Sequence, residues 1–293
     1  MLLKKKYILL IIKICVIVAA FALIFHKADT EELLHYLKSA NPLSLIAAYV
    51  FLTFAQIISA YRTRFYFASS GLNFNNKFAV GLYFVGMFLN NILPGGIGGD
   101  AYKIYIIGKL SDFPRLTSLR LLISERASGL LLLILLSVFF AFFSNLGNVM
   151  PHVNLFLLLI VIITIPCYFI SIQVLLKEKP TTALRASTYS FFVQIAGAFI
   201  ITAILYGLGK DITNISDTSG YIMLFLISSV IAILPISIGG AGVRELTFMY
   251  GGKLLGLDPE IGIAIAMIYF LVSIICSLNG FIFWHKLEKL YKE

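Results

Sequence analysis

The sequence has few charged residues and few cysteines. Charged side chains make up 13% of its 293 residues and hydrophobic ones 60%, with a mean hydropathy of +0.96. Soluble globular domains average about 25% charged residues, so this composition excludes that class of protein. Cys15, Cys167 and Cys276 stand alone in apolar segments without CxxC spacing. We therefore expect buried, unreactive thiols, and the four histidines have no metal-ligand spacing either.

Motifs for catalysis and for nucleotide binding are also missing. The chain has no Ser/His/Asp arrangement, no Walker A loop and no dinucleotide fingerprint. The sequence therefore predicts no cofactor and favours a non-enzymatic role, and any transport must run downhill or be coupled to an ion gradient. The net charge is +9. Because the basic residues cluster at predicted helix ends, they indicate contact with anionic lipid headgroups rather than with nucleic acid.

The apolar residues form membrane-length runs that fill the chain. Windows near the spanning length fall at about 7–25, 43–61, 119–143, 154–176, 184–208 and 260–284. We take 7–25 as an uncleaved first helix. Two further apolar regions, about 78–111 and 220–256, are each interrupted by proline and glycine. The fold class predicted is an all-α polytopic membrane protein, with residues 1–293 forming a single integral membrane domain.

The distribution of Lys and Arg predicts the orientation. Basic clusters at residues 4–6, 62–77, 109–120, 177–185 and 286–292 are assigned to the cytoplasmic side, which places both termini there. The loops near 144–153 and 209–219 are assigned to the outer side. This arrangement is consistent only if 78–111 and 220–256 are re-entrant hairpins of two short helices, entering from opposite faces. The chain is expected in the cell (inner) membrane of a prokaryote.

The two interruptions are similar in sequence. "ILPGGIGGDAYK" (92–103) aligns with "ILPISIGGAGVR" (233–244), 141 residues later, and the spanning windows repeat at nearly the same offset. Each half, about 1–147 and 148–293, then has three spanning helices and one hairpin. An odd number of crossings inverts the second half. Inverted repeats with discontinuous helices are a transporter architecture.

Each interruption has features of an anion site. Pro94 and Pro235 are predicted to end the first short helix, and the glycines that follow permit a tight turn. The second short helix then begins with free N–H groups, which suit a phosphate or carboxylate. A basic residue, Lys103 or Arg244, lies in its first turn. The glycines concerned are Gly98, Gly99, Gly239, Gly240 and Gly242.

The two copies differ in polar residues. In the first, Asp100 is predicted at the N-cap, where its carboxylate would compete with a phosphate. In the second, Ala241 and Gly242 are predicted to leave the helix start uncapped, so it is the better candidate for an anion. The first copy, with Asn90 and Asn91, could instead bind polar or cationic parts of a headgroup, or act as a gate. Alternatively, both hairpins only stabilise the fold.

Two adjacent charges, Glu125 and Arg126, begin the spanning segment near 119–143. Charges inside a membrane usually pair or function, and neighbours point about 100° apart on a helix. We expect Glu125 to pair with Lys103 or Arg244. Asp100 or Glu245 is the expected partner of Arg126, which is predicted to line the same cavity, with interfacial placement as the alternative. Arg62 and Arg64 are interpreted mainly as a cytoplasmic anchor, with headgroup recruitment as the alternative.

At these residues the sequence resembles a known family. "NNILPGGIGGDAYK", "SERASGLL" and "LPISIGGAGVRE" resemble the transmembrane domain of lysylphosphatidylglycerol synthases, shared with stand-alone flippase-like proteins of the UPF0104 type. The resemblance covers nearly the whole chain and implies lipid handling. In the full-length synthases a soluble aminoacyl-transferring domain follows; we expect the stand-alone form here, without aminoacyl transfer. The family positions map onto Asn91, Pro94, Gly98, Gly99, Asp100, Arg126, Pro235, Gly239, Gly240, Arg244 and Glu245.

The leading hypothesis is a lipid translocase. Its substrate would be a membrane phospholipid or a polyprenyl-phosphate lipid, with the phosphate between the two hairpins near Lys103, Arg126 and Arg244. The second hypothesis is a membrane subunit that presents lipid to a separate aminoacyl- or glycosyl-transferase. The third is direct chemistry on a lipid phosphate with Asp100 or Glu125 as general base. Transport of another solute also remains open.

Overall fold

The computed structural model describes residues 29–92, 98–233 and 240–292, and within these ranges the chain is helical with no strand. A π-helical turn, Ser171–Leu175, extends the seventh helix. The helices are α1 Thr30–Ser39, α2 Pro42–Ser69, α3 Asn76–Ile92, α4 Gly98–Ser111, α5 Arg115–Phe143, α6 Leu146–Val149, α7 Val153–Ile170, α8 Pro180–Gly207, α9 Ile215–Ala232, α10 Val243–Leu255, α11 Pro259–Ser277, α12 Asn279–Trp284 and α13 Leu287–Lys292. The predicted all-α class is confirmed for this part of the chain.

Polar side chains define where several of these helices begin. The Asp29 carboxylate accepts the backbone N–H groups of Glu31 and Glu32 at the start of α1. Asn41 caps α2 and Asn214 caps α9 in the same way. Asp258 accepts two N–H groups at the start of α11. Such caps satisfy N–H groups that have no partner inside the helix.

Six helical runs in the described ranges are long and apolar enough to cross a membrane. Five of them coincide with predicted windows, and the predicted window 7–25 lies outside the described residues. The sixth, α9, has 18 residues, about 27 Å at 1.5 Å per residue, although we predicted a short hairpin arm there. The inverted repeat and the re-entrant hairpins therefore stay predictions. The runs are Pro42–Ser69, Arg115–Phe143, Val153–Val174, Pro180–Gly207, Ile215–Ala232 and Pro259–Trp284.

The core lies where the long helices cross. The most extensive helix contact joins α2 and α8, and α9 packs between α5 and α10. Helix α11 is the most enclosed, with Ile263, Ala264 and Ile265 fully buried. By contrast, α7 exposes large apolar side chains such as Leu155 and Phe156. An apolar outer surface is what a protein in a hydrocarbon solvent requires.

Candidate functional site

A small polar cavity lies among α2, α3, α4 and α5. Its volume is about 250 Å³, enough for roughly eight waters at 30 Å³ each. Charged and amide side chains dominate its wall, which is unusual in a chain where 13% of residues are charged. The lining residues are Gln56, Arg62, Tyr83, Met87, Asn90, Asn91, Asp100, Lys103, Leu122, Glu125 and Arg126.

A buried ion pair forms one side of the cavity. Arg62 on α2 donates from Nη2 to Glu125 Oε1 on α5 at 3.1 Å, and both side chains are under a tenth exposed. Thr63 donates to the other carboxylate oxygen at 2.8 Å. Arg62 Nη1 donates to Ser190 Oγ on α8 at 2.7 Å. Within the described residues the buried Nε of Arg62 has no hydrogen-bond partner, so this donor is unsatisfied.

A second charge network forms the other side. Arg126 donates from Nε to Asp100 Oδ2 at 2.6 Å, and its Nη2 atom forms an ion pair with the same oxygen at 2.6 Å. Lys103 Nζ lies 3.6 Å from the second oxygen of Asp100 and 4.1 Å from the centre of the Tyr83 ring. The Lys103 side chain is only 6% exposed. Asp100 thus shares one carboxylate between two cations.

The pairing of Arg126 with Asp100 is one of the two alternatives predicted, whereas the expected partners of Glu125 were wrong. Glu125 pairs with Arg62, not with Lys103 or Arg244. Arg62 is 6% exposed, so its interpretation as a cytoplasmic anchor was also wrong. Position near a basic cluster suggested that anchor, but the side chain turns inward to a carboxylate.

The start of α4 differs from the prediction as well. Helix α4 begins at Gly98, so Asp100 lies in its first turn rather than at the N-cap. Asn90 on α3 accepts the Gly99 N–H at 2.8 Å and supplies the missing acceptor. A Cβ atom on Gly99 would lie 2.0 Å from the carbonyl oxygen of Gly86. The two helix backbones therefore touch here, and this contact aims Asp100 and Lys103 into the cavity.

The cavity carries a net positive charge. Arg62, Lys103 and Arg126 contribute three cations, and Asp100 and Glu125 contribute two carboxylates, which leaves one positive charge. Buried charges need compensation, and an arginine fork matches the oxygens of a phosphate or carboxylate. The arrangement can therefore hold an anion.

The second interruption has a different polar environment. As expected, no side chain at the N-cap residue Gly242 caps α10. Glu245 accepts the Gly242 N–H through Oε2 at 2.7 Å, a contact that was not predicted. Arg244, in the first turn of α10, is 7% exposed. Its guanidinium lies 4.3 Å from the ring centre of Tyr269 and 5.0 Å from that of Phe225. Arg244 does not line the polar cavity.

The predicted site residues therefore fall into two groups. The cavity brings together Asn90, Asn91, Asp100, Lys103, Glu125 and Arg126, and Gly98 and Gly99 begin the helix beside it. Gly240, Gly242, Arg244 and Glu245 lie at the start of α10. Pro94, Pro235 and Gly239 lie outside the described residues. Sequence reasoning missed that Gln56, Arg62, Tyr83, Met87 and Leu122 line the cavity.

These features define a class: an integral membrane protein of packed apolar helices that enclose a charged cavity. The family is that of the lysylphosphatidylglycerol synthase TM region, whose model matches residues 10–280, so the chain belongs to it. The UPF0104 membrane protein MJ1595 of Methanocaldococcus jannaschii is 30% identical over 123 residues, which cover 42% of this chain and 35% of that relative. The predicted family is thereby confirmed. The matched part spans about a third of the relative's length.

Proposed function

We propose that the protein moves a lipid with an anionic headgroup between the two leaflets of the cell membrane. The single observation that carries the proposal is the net-positive cavity lined by the buried Arg62 and Lys103 and by the partly exposed Arg126. A lipid phosphate would bind there, while its acyl chains remain in hydrocarbon. Substrates of this chemistry are phospholipids and polyprenyl-phosphate lipids. Membership of a family named after a lipid synthase is consistent with such a ligand.

In this proposal an incoming anion replaces the Asp100 carboxylate as the partner of the cavity's cations. Asp100 already compensates Lys103 and Arg126, so an incoming phosphate takes over one or both of these contacts. Arg62 Nε adds a donor that has no partner among the described residues. Charge-assisted hydrogen bonds to arginine are among the strongest in proteins. Selectivity for an anion over a neutral headgroup follows from the extra positive charge.

Alternating access in this proposal uses the halves 1–147 and 148–293 as inverted copies, with both termini cytoplasmic. At the 141-residue offset, α2 to α5 correspond to α8 to α11. The helix contacts are compatible with this correspondence: α2 packs on α8, α3 on α4 and α9 on α10, while α5 packs on α9 and α11 on α3. Paired contacts of this kind support a pseudo-two-fold axis, about which one arrangement of the helix pairs exchanges with the other.

An apolar cavity offers room for a hydrocarbon chain. Its volume is about 730 Å³, and it lies among α5, α7, α9 and α10. Met223, Ile227 and Leu246 are typical of its wall. A lipid whose phosphate occupies a polar site needs apolar surroundings for its tails. This cavity is of that kind and shares α5 with the polar cavity, although the two have no lining residue in common.

Proteoliposomes containing headgroup-labelled phosphatidylglycerol test the proposal. A membrane-impermeant quencher measures how fast label leaves the inner leaflet. Arg126→Gln is expected to weaken apparent affinity about tenfold or more, because a hydrogen bond to a charged group contributes roughly 1.5–3 kcal/mol. Arg115→Gln is the matched control, since Arg115 is exposed at the start of the same helix.

Two results would refute the proposal. Wild-type protein that exchanges no labelled anionic lipid faster than empty vesicles would exclude translocation of that lipid class. A repeat with a polyprenyl phosphate covers the second substrate class. Equal rates for Arg126→Gln and Arg115→Gln would show that the cavity does not contact the substrate.

A further inference from the structure

A buried arginine that forms no ion pair with any described residue lies at the second interruption. Arg244 belongs to α10, a helix of 13 residues, and it is 7% exposed. Its Nη1 atom is buried and makes no hydrogen bond in the described structure. Phe225 on α9 and Tyr269 on α11 lie 5.0 and 4.3 Å from its guanidinium carbon. The rings attract the charge but offer it no acceptor.

Glu245, the carboxylate next to Arg244 in the sequence, does not form an ion pair with it. Glu245 accepts the Gly242 N–H at 2.7 Å. Its carboxylate attracts Arg244 electrostatically but forms no ion pair with it. In the described ranges no other carboxylate pairs with Arg244 either. Burying an unpaired guanidinium is costly, and in ordinary proteins such a charge is paired or replaced by an apolar side chain. Arg244 therefore indicates that an anion from outside the chain completes the site.

The backbone beside Arg244 is a glycine in the left-handed region. Gly240 has a φ of +87°, and a Cβ atom there would lie 3.4 Å from Nη2 and 3.5 Å from Nε of Arg244. A Cβ atom at these distances would be in van der Waals contact with the guanidinium edge on which two oxygens can bind side by side, so glycine leaves this edge uncovered by a side chain. Arg244 itself lies in the first turn of α10, near the positive end of the helix dipole.

We propose that Arg244 forms a second anion site, separate from the polar cavity. Its ligand is a group with two oxygens on one centre, such as a phosphate, which either a lipid or a free anion can supply. The site does not depend on the proposed translocation, because it follows from the unbonded Nη1 atom of Arg244 and from the lack of an ion pair among the described residues. If translocation also holds, each half of the molecule has one anion site on the path.

Counting bound anions tests the proposal. Detergent-purified protein is titrated with dihexanoyl phosphatidylglycerol, inorganic phosphate or neutral dihexanoylglycerol, and native mass spectrometry gives the number bound. A variant with Lys103→Met and Arg126→Met removes cations of the first cavity and is expected to retain one bound anion. Adding Arg244→Met should abolish it, whereas adding Lys253→Met, an exposed residue on the same helix, should not.

Thermal stability without ligand gives an independent readout. Methionine has nearly the length of arginine without its charge, so Arg244→Met should raise the melting temperature, because a buried guanidinium with an unbonded nitrogen and no ion pair is removed. The same variant should lose the stabilisation that anions give to the wild type. A structural arginine would produce the opposite shift.

Each outcome decides the question. Binding of both phosphate and the short-chain lipid supports a general anion site, and binding of the lipid alone supports a lipid phosphate site. The proposal is overturned if the Lys103→Met, Arg126→Met protein binds no anion, or if Arg244→Met leaves the number bound unchanged. It is equally overturned if Arg244→Met melts earlier or fails to fold, since Arg244 would then be structural.

Discussion

The ion pair between Arg62 and Glu125 should be among the most sensitive contacts in the protein. Its side chains are 8% and 6% exposed and its N–O distance is 3.1 Å. At an effective dielectric constant of about 20, two unit charges at that distance attract by about 5 kcal/mol. Glu125→Gln removes this attraction while keeping the side-chain shape. In the wild type, one carboxylate oxygen accepts from Arg62 and the other from Thr63. A glutamine has only one acceptor oxygen, so one of these two hydrogen bonds is lost.

We expect Glu125→Gln to lower the free energy of unfolding by about 3–5 kcal/mol, the usual effect of removing one partner from a buried pair. The hydrogen bond from Arg62 to Ser190 persists and keeps the loss from being larger. Reversible unfolding in mixed detergent micelles, followed by circular dichroism, measures the change. Replacing both partners, Arg62→Met with Glu125→Met, should recover much of the loss, since no uncompensated charge remains.

Glu288→Gln is the matched control. Glu288 pairs with Lys109, and both side chains are at least half exposed. Exposed pairs contribute little because water screens them, so this variant should unfold like the wild type. If Glu125→Gln lowers the free energy of unfolding no more than Glu288→Gln does, the Arg62–Glu125 ion pair does not stabilise the protein as argued.

Two further predictions concern the first turn of α4. Asp100→Asn removes the carboxylate that competes for the cations, so anionic lipid should bind about tenfold tighter or more, given an attraction of several kcal/mol at close range. Equilibrium binding measures this, and Asp112→Asn, at an exposed position, should have no effect. Gly99→Ala places a Cβ atom 2.0 Å from the Gly86 carbonyl oxygen and should destabilise the protein by about 1–3 kcal/mol or more. Gly147→Ala, where a Cβ atom meets nothing within 4 Å, should be neutral in the same unfolding assay, and a neutral Gly99→Ala would contradict the close helix contact.

The sequence predicts the helices well because apolar length is a local property. The windows 119–143 and 184–208 became α5, which begins at Arg115, and α8, which begins at Pro180. Both helices extend past the apolar window into polar turns at their N-terminal ends. Hydropathy alone does not register those turns, because a helix continues as long as its backbone bonds are satisfied.

The polar contacts were predictable only in part. Arg126 and Asp100 could be paired because charges within apolar segments must find each other. The Glu245 cap was visible in the sequence, since a glutamate three residues after the N-cap is a known signal. The contact of Asn90 with Gly99 was not, because it joins two helices across an interruption. The ion pair of Arg62 with Glu125 was not predicted, because the positive-inside rule uses the number of basic residues in a loop and carries no information on the direction of their side chains.

The difference between the two interruptions lies in their counter-ions rather than in their helix starts. Position 100 carries an aspartate that compensates Lys103, and the corresponding position 241 carries an alanine. Glu245 caps its helix and leaves Arg244 without an ion pair in the described residues. An anion that enters the first site must displace a carboxylate, whereas one that binds Arg244 displaces nothing. We therefore expect the second site to bind the same anion more tightly, and a path between the two sites would run downhill toward Arg244 unless another force opposes it.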